Sequence, residues 1–431
     1  MNMKHSRLIS TAIGLAMAMI ATAQTTLYDC QKWAAENYPL LKRYELLLAT
    51  TDYTVANINK GWLPQLSAGA QATLQSDVMS LPDGLKSIMS QAGYNVKGLK
   101  KDQYKVAIDV SQTIYDGGSI KAAKQAARAE GEAKARQNDV DMFAIRDRVN
   151  NLFFGILLAE DKLKLNSDLQ QLLLDNCRKL EAMVKGGTAT KADLDAMKAE
   201  YLNARQQQVE LSSAKNSYVR MLEIFTGRQI EQPLKRPEAT VPDNISTQRP
   251  ELSLFNAQTR QLNARSAQLD AAIRPRLSLF AQGYYGYPGY NMFEDMFSHD
   301  WSLNGMIGMR LSWNISSLYT HKNEKRKLAT AANEIENARD VFLFNNRLQT
   351  TQERMAVERY RRIIADDDEI IQLRTSVRQA AEAKLSHGII DVNGLLQEIT
   401  RENTARTQQS VHEIEMLKAI YELKDKLGIK N

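Results

Sequence analysis

A chain of 431 residues, 43% hydrophobic and 25% charged, is long enough to bury a sizeable core. Its net charge of +6 falls by two when Lys4 and Arg7 leave with residues 1–23, too mild for a nucleic-acid surface. Two cysteines, Cys30 and Cys177, exclude a disulfide framework.

Basic Lys4 and Arg7, the apolar run Leu8–Ile20 and the A-x-A triplet Ala21-Thr22-Ala23 predict a signal peptide over 1–23, so the mature chain is expected to start at Gln24. No cysteine follows the cleavage site, and no lipid anchor is expected. No second apolar stretch reaches the length of a membrane-spanning helix.

The rest is one plan written twice. Asn37-Tyr38-Pro39 matches Gln248-Arg249-Pro250, and Trp62-Leu63-Pro64-Gln65-Leu66-Ser67 matches Ile273-Arg274-Pro275-Arg276-Leu277-Ser278. Further on, Ala204-Arg205 matches Ala405-Arg406, Gly187 matches Gly388 and Gly227 matches Gly428. The division is a first repeat over 24–227, a linker over 228–248 with Pro233, Pro237 and Pro242, and a second repeat over 249–431. Each repeat reads helix, strand, loop, strand, very long helix, glycine turn, helix.

Strands are expected at 63–75 and 104–115, with a long irregular segment, Ser76 to Gln103, between them. In the first, Leu66, Ala68, Ala70, Ala72 and Leu74 alternate with polar residues. In the second, Tyr104, Val106, Ile108 and Val110 do the same. The second repeat places strands at 276–285 and 301–315, the latter setting Leu303, Ile307, Met309 and Leu311 against Ser302, Asn304, Arg310 and Ser312. Each has the length that a tilted strand needs to cross a bilayer. Trp62, Trp301 and Trp313 fall at strand ends, where interfacial aromatic girdles form. Four strands cannot close a barrel, and an open edge in lipid leaves backbone groups unpaired at several kcal/mol each. Several chains must therefore pool their strands: two copies give eight, and three give twelve with room for a lumen.

Proline-free stretches from Ser119 to about Lys185 and from Thr320 to about Ser386 predict helices of roughly 100 Å each. Val341, Leu348 and Met355, then Ile363, Ile370 and Val377, repeat by sevens with one slip, a spacing that favours side-by-side coiled-coil packing.

The fold these features describe resembles the TolC family of outer-membrane export ducts. "TLYDCQKWAAENYPLL" is similar to that family's opening helix, and Arg249-Pro250-Glu251-Leu252 to the start of its second copy. "IYDGGSIKAAKQAA" resembles its strand-to-helix junction, carried here by Asp116, Gly117 and Gly118; the second copy has Ile315-Ser316-Ser317 instead. The resemblance implies a mainly α fold with a membrane β-barrel: a homotrimer with a twelve-stranded barrel in the outer membrane of a Gram-negative bacterium and a long α-helical barrel in the periplasm. The N-terminus and the linker would form an equatorial belt. It implies an exit duct of a tripartite efflux or type I secretion system, docked to a periplasmic adaptor (a membrane fusion protein) and an inner-membrane efflux pump or secretion transporter. The periplasmic tip and adaptor-docking residues would be Gly187, Thr188, Ala189, Gly388, Ile389 and Ile390. Asp193 matches a family acid; the positions of two further family acids hold Gly394 and Gln397, which leaves Asp391 and Glu398 as the other candidate aperture acids.

Enzymatic readings find no support. His5, His299, His321, His387 and His412 are scattered, with no H-E-x-x-H spacing and no G-x-S-x-G elbow. Asp366-Asp367-Asp368 reads as a solvated run on a charged helix. No catalytic residue, metal ligand, cofactor or nucleic-acid partner is expected. The competing reading is a trimeric coiled-coil envelope spacer or adhesin that uses its strands only as an anchor.

Overall fold

The computed structural model describes residues 24–243 and 246–429, so the expected signal peptide lies outside the described residues. Contacts divide the chain into two compact units, and neither is a repeat: each draws on both copies.

The first unit comprises the chain up to Glu45, Arg136–Leu254 and the chain from Ala338. It opens with α1 (Leu27–Asn37), whose N-terminus is held by Thr26: the Asp29 N–H donates to Thr26 Oγ1 at 3.1 Å, and the Thr26 N–H donates back to Asp29 at 3.2 Å. Leu27, Cys30, Gln31 and Ala34 fall on one helical face and are buried. That face packs on a core built from α5 (Ile145–Lys185), α6 (Lys191–Thr226) and α10 (Val392–Leu427), centred on Phe153, Phe154, Leu222 and Ile420. The linker joins this core through buried Ile230 and Leu234. Its backbone is tied down at both ends, Lys235 N–H donating to Thr25 O at 3.0 Å and Gln248 N–H to Leu427 O at 2.7 Å. Arg236 clamps Asp161 and Glu413 at 2.5 and 2.8 Å.

The second unit comprises Leu46–Ala135 and Phe255–Asn337. Its centre is a four-stranded antiparallel sheet in the order β1 (Gln65–Leu74), β2 (Asp102–Tyr115), β3 (Arg276–Tyr287), β4 (Ser302–Ser312). Strands from the two copies thus lie side by side, β2 against β3, with Ile108 opposite Gly283. The edges of β1 and β4 have no neighbouring strand among the described residues. The alternation reads correctly along the sheet, and the large apolar side chains stand out to the surroundings: Leu303 is 82% exposed, Ile307 73% and Leu66 72%. A soluble sheet would bury such a face.

The segment between β1 and β2, expected to be irregular, contains α3 (Asp83–Gln91). Its partner, between β3 and β4, contains α8 (Met292–Ser298). The two connections fold against each other around Leu99, Tyr287 and Met296, with Lys97 N–H donating to Met296 O at 3.0 Å.

The remaining helices run between strands and turns: α2 (Leu40–Asn59), α4 (Ser119–Phe143), α7 (Pro250–Ala272) and α9 (Ser317–Ser386). The second long helix is unbroken over 70 residues. The first is not: α4 and α5 are separated at Ala144, which keeps helical torsions (φ −62°, ψ −16°), so the interruption is a loosened hydrogen-bond ladder rather than a turn. No proline or glycine marks it. On α9, Val341, Leu348, Met355, Ile370 and Val377 are all at least 45% exposed, so most of the sevenfold stripe is left uncovered by the described residues; Ile363 is half-buried. No described helix is long and apolar enough to cross a membrane.

Candidate functional site

Both helical hairpins turn by the same device. After α5, Gly187 adopts φ +74° while Thr188 N–H reaches back to Met183 O at 2.9 Å; after α9, Gly388 adopts φ +68° while Ile389 N–H reaches Lys384 O at 2.9 Å. This is the glycine-terminated helix end, in which a side chain at the left-handed position costs about 1–2 kcal/mol. The next helix is capped in each case. Thr190 and Asp193 form a capping box at the start of α6, and Asp391 accepts from Gly394 N–H at 2.8 Å at the start of α10.

The structure brings the two turns onto one core. Leu180 of α5, Met197 of α6, Leu385 of α9 and Leu395 of α10 are buried together, and Ala189 and Ile390, one from each turn, pack against them. Thr188 and Ile389 stay exposed, and a Cβ on Gly187 or Gly388 would meet nothing within 4 Å. The hairpin ends therefore present a small, open, mostly uncharged surface over a firm apolar base.

The three candidate aperture acids all have local partners. The Thr190 hydroxyl donates to Asp193 at 2.7 Å and the Thr190 backbone N–H at 3.0 Å, and the two hold the Asp193 carboxyl below its usual range. Asp391 is a cap. Glu398 pairs with Arg401 at 2.5 Å, while its Oε2 is buried without a hydrogen-bond partner.

Sequence reading missed a polar network a few turns into the same helices. Glu402 of α10 is buried and accepts from Arg378 Nε, from Thr375 at 2.9 Å and from Arg406 at 2.9 Å, while Arg378 also donates to Glu382 at 2.7 Å. Burial works to raise the Glu402 carboxyl, but these hydrogen bonds outweigh it and hold the group below its usual range. Beside it, a groove of about 250 Å³ runs between α5 and α10, lined by Leu165, Asp168, Leu169, Ile399, Glu402 and Arg406. The three-aspartate run also needs correction. Asp367 is 6% exposed and lies 2.8 Å from His412 Nδ1, and Asp368 accepts from Gln409 at 2.7 Å. Asp366 and Asp368 are exposed and fit the solvated reading; Asp367 does not.

At the strand-to-helix junction Asp116 is buried and accepts from the N–H groups of Gly118 and Ile120 at 2.8 and 2.6 Å, which starts α4. Gly117 sits at φ +67°, and a Cβ there would lie 2.7 Å from Arg274 Cβ. The second copy starts α9 differently, through Ser317 N–H to Asn314 O at 3.3 Å and Ser316 Oγ to Asn314 Oδ1 at 2.6 Å, with no left-handed residue.

The tryptophans mark both ends of the sheet. Trp301 precedes β4 and lies 6.0 Å from Tyr104 and 5.4 Å from Tyr285. At the other end stand Trp62, just before β1, and Trp313, just after β4, whose Nε1 donates to Ile273 O at 2.8 Å. Ser302 to Ser312 spans roughly 34 Å of strand, which a tilt near 45° reduces to about 24 Å, close to the height of an outer-membrane apolar band.

Residues 32–227 match the family model described as outer membrane efflux protein. No curated protein matches the chain in sequence. Among solved structures the chain is similar to the outer-membrane channel OprN, at 13% identity and a TM-score of 0.68 over 93% of this chain and 89% of that one. It is similar to the CmeC outer-membrane channel of Campylobacter jejuni, at 15% identity and 0.67 over 93% and 85%. It is also similar to the outer-membrane protein VceC of Vibrio cholerae, at 13% identity and 0.67 over 94% and 97%.

Proposed function

We infer that this chain, an outer membrane efflux protein over residues 32–227 and TolC-like in fold throughout, is the outer-membrane exit duct of a tripartite efflux or type I secretion system. The observation that carries the reading is the sheet: two open edges, one largely exposed apolar face and one polar face. Lipid covers the apolar face. The edges have no such cover, because unpaired backbone in hydrocarbon costs several kcal/mol per group, so neighbouring copies must supply the missing strands. Three copies give twelve strands and a lumen lined by the polar face.

The exposed heptad stripe on α9 supports the same assembly, since it offers a seam to a neighbouring helix. The paired glycine turns are the proposed docking surface for the periplasmic adaptor, and their shared core keeps both turns in fixed register. Transport through the duct is passive. The inner-membrane pump or transporter supplies energy and selects cargo.

The test is the native mass of the protein extracted gently from outer membranes, followed by bilayer recording. A mass of three mature chains with unitary currents is expected. A monomer would falsify the duct. A trimer silent under every gating condition would favour a spacer or adhesin.

A further inference from the structure

The polar face of the sheet carries an unbalanced charge. Strand pairing sets Gln71, Lys105 and Gly286 in one row and Ser67, Asp109 and Gln282 in another; Ser278 stands opposite Arg310, and Arg276 opposite Ser312. Alternation puts Lys105, Asp109, Arg276 and Arg310 on the face away from Leu66, Ile108 and Ile307. β1 adds no charge to that face. Three cations therefore face one carboxylate.

None of the three cations forms an ion pair among the described residues. Their contacts are neutral or aromatic. Lys105 Nζ donates to Gln282 at 3.2 Å and lies 4.4 Å over the Tyr284 ring. Arg310 lies 4.8 Å over Phe280, and Arg276 donates to Ser119 Oγ at 3.3 Å. Asp109, the one acid, accepts from Gln282 at 2.5 Å. Tyr290 stands edge-on to Tyr284 at 5.2 Å.

The positions matter as much as the count. Arg276 and Arg310 sit at one end of the sheet and Lys105 near the other, with Asp109 between. Eight residues separate the row of Arg310 from that of Lys105, roughly 26 Å along the strands. That exceeds a Debye length of about 8–10 Å, so the charges act as two separate girdles rather than one. On the exit-duct reading each is repeated around a lumen with low-dielectric walls, the arrangement by which Lys and Arg rings favour anions.

We propose that the barrel section of the duct passes anions in preference to cations, Lys105 and Arg310 being the groups that a passing anion meets. The inference rests on the duct reading. The test is the reversal potential of the reconstituted full-length protein in a planar bilayer across a tenfold KCl gradient at low ionic strength. Chloride permeability about threefold or more above that of potassium is expected, and Lys105→Gln with Arg310→Gln should bring the ratio near or below unity. The charge-keeping pair Lys105→Arg and Arg310→Lys should restore the wild-type ratio, which separates charge from folding. A cation-selective wild type, or a ratio unmoved by the neutral pair, overturns the inference and leaves the duct standing. Absence of unitary current removes the duct, and the selectivity with it.

Discussion

Single residues in this chain do local work that their neighbours in sequence only half disclose. Thr-x-x-Asp at Thr190–Asp193 is a readable capping box, yet the same acid also stands where the family resemblance places an aperture group. The capping role is visible in its hydrogen bonds. Thr190→Ala should lower stability by about 1 kcal/mol at neutral pH, seen as an earlier thermal midpoint. Because the Thr190 hydroxyl and N–H depress the Asp193 pKa, this contribution is present above the unfolded carboxylate pKa and fades as pH falls through the folded one. The gap between wild-type and variant midpoints should therefore narrow in strong acid, leaving the part due to the Asp193 N–H bond to Thr190 Oγ1. Asp425 works in the opposite sense. It is fully buried, accepts from Asn150 at 2.6 Å and lies 3.3 Å from Arg146, and burial pushes its carboxyl up to about 6 against the pull of Arg146. Between pH about 4 and 6 the folded chain holds a proton that the unfolded chain has released, so stability falls as pH rises across that window. Asp425→Asn should flatten the fall. Glu353, raised to about 6 by burial and by Glu422, and Asp161, raised by burial, act in the same sense. Midpoints measured from pH 4 to 8 for both proteins check the sign, and an unchanged slope refutes it. No local pattern announces Asp425 or Asp367, because the partners Asn150 and His412 lie 275 and 45 residues away.

Elements were more legible than residues. Alternation located all four strands within a few positions, and Gly187 and Gly388 located both hairpin ends, because a period of two and a left-handed turn each leave a mark in composition. The loosened ladder at Ala144 left none, since it involves neither proline nor glycine. The folded pair of strand connections was equally hidden: α3 looks irregular until its segment meets that of α8, about 200 residues on. The faces of the sheet give the sharpest prediction at this scale. Ile307 lies near the middle of β4 on the apolar face, where an arginine costs about 2–4 kcal/mol at the bilayer midplane. Ile307→Arg should reduce the heat-resistant, membrane-inserted fraction, whereas Ser67→Arg on the polar face should leave it close to wild type. Fractionation of the two variants decides which face meets lipid; equal loss for both would sink the assignment.

At the scale of the molecule, the doubled plan was plain in sequence, but the compact units were not, because each unit takes pieces of both copies. Length and composition carry no record of that exchange. The sheet it builds has four strands in strict antiparallel order, so β1 and β4 run in opposite directions and expose different edges. In the proposed three-copy ring each contact joins unlike edges, head to tail, so the ring closes only when every member can both give and receive. This has a genetic consequence. A chain damaged at one edge still engages a sound neighbour through the other, and the ring it enters cannot close. Tandem prolines at Gln71 and Ala72 remove one outward-pointing donor of β1 together with one donor to β2. Expressed at parity with the wild type, such a chain leaves about one three-copy ring in eight free of the defect. The damage is then dominant: export should collapse well below half while half the chains remain sound.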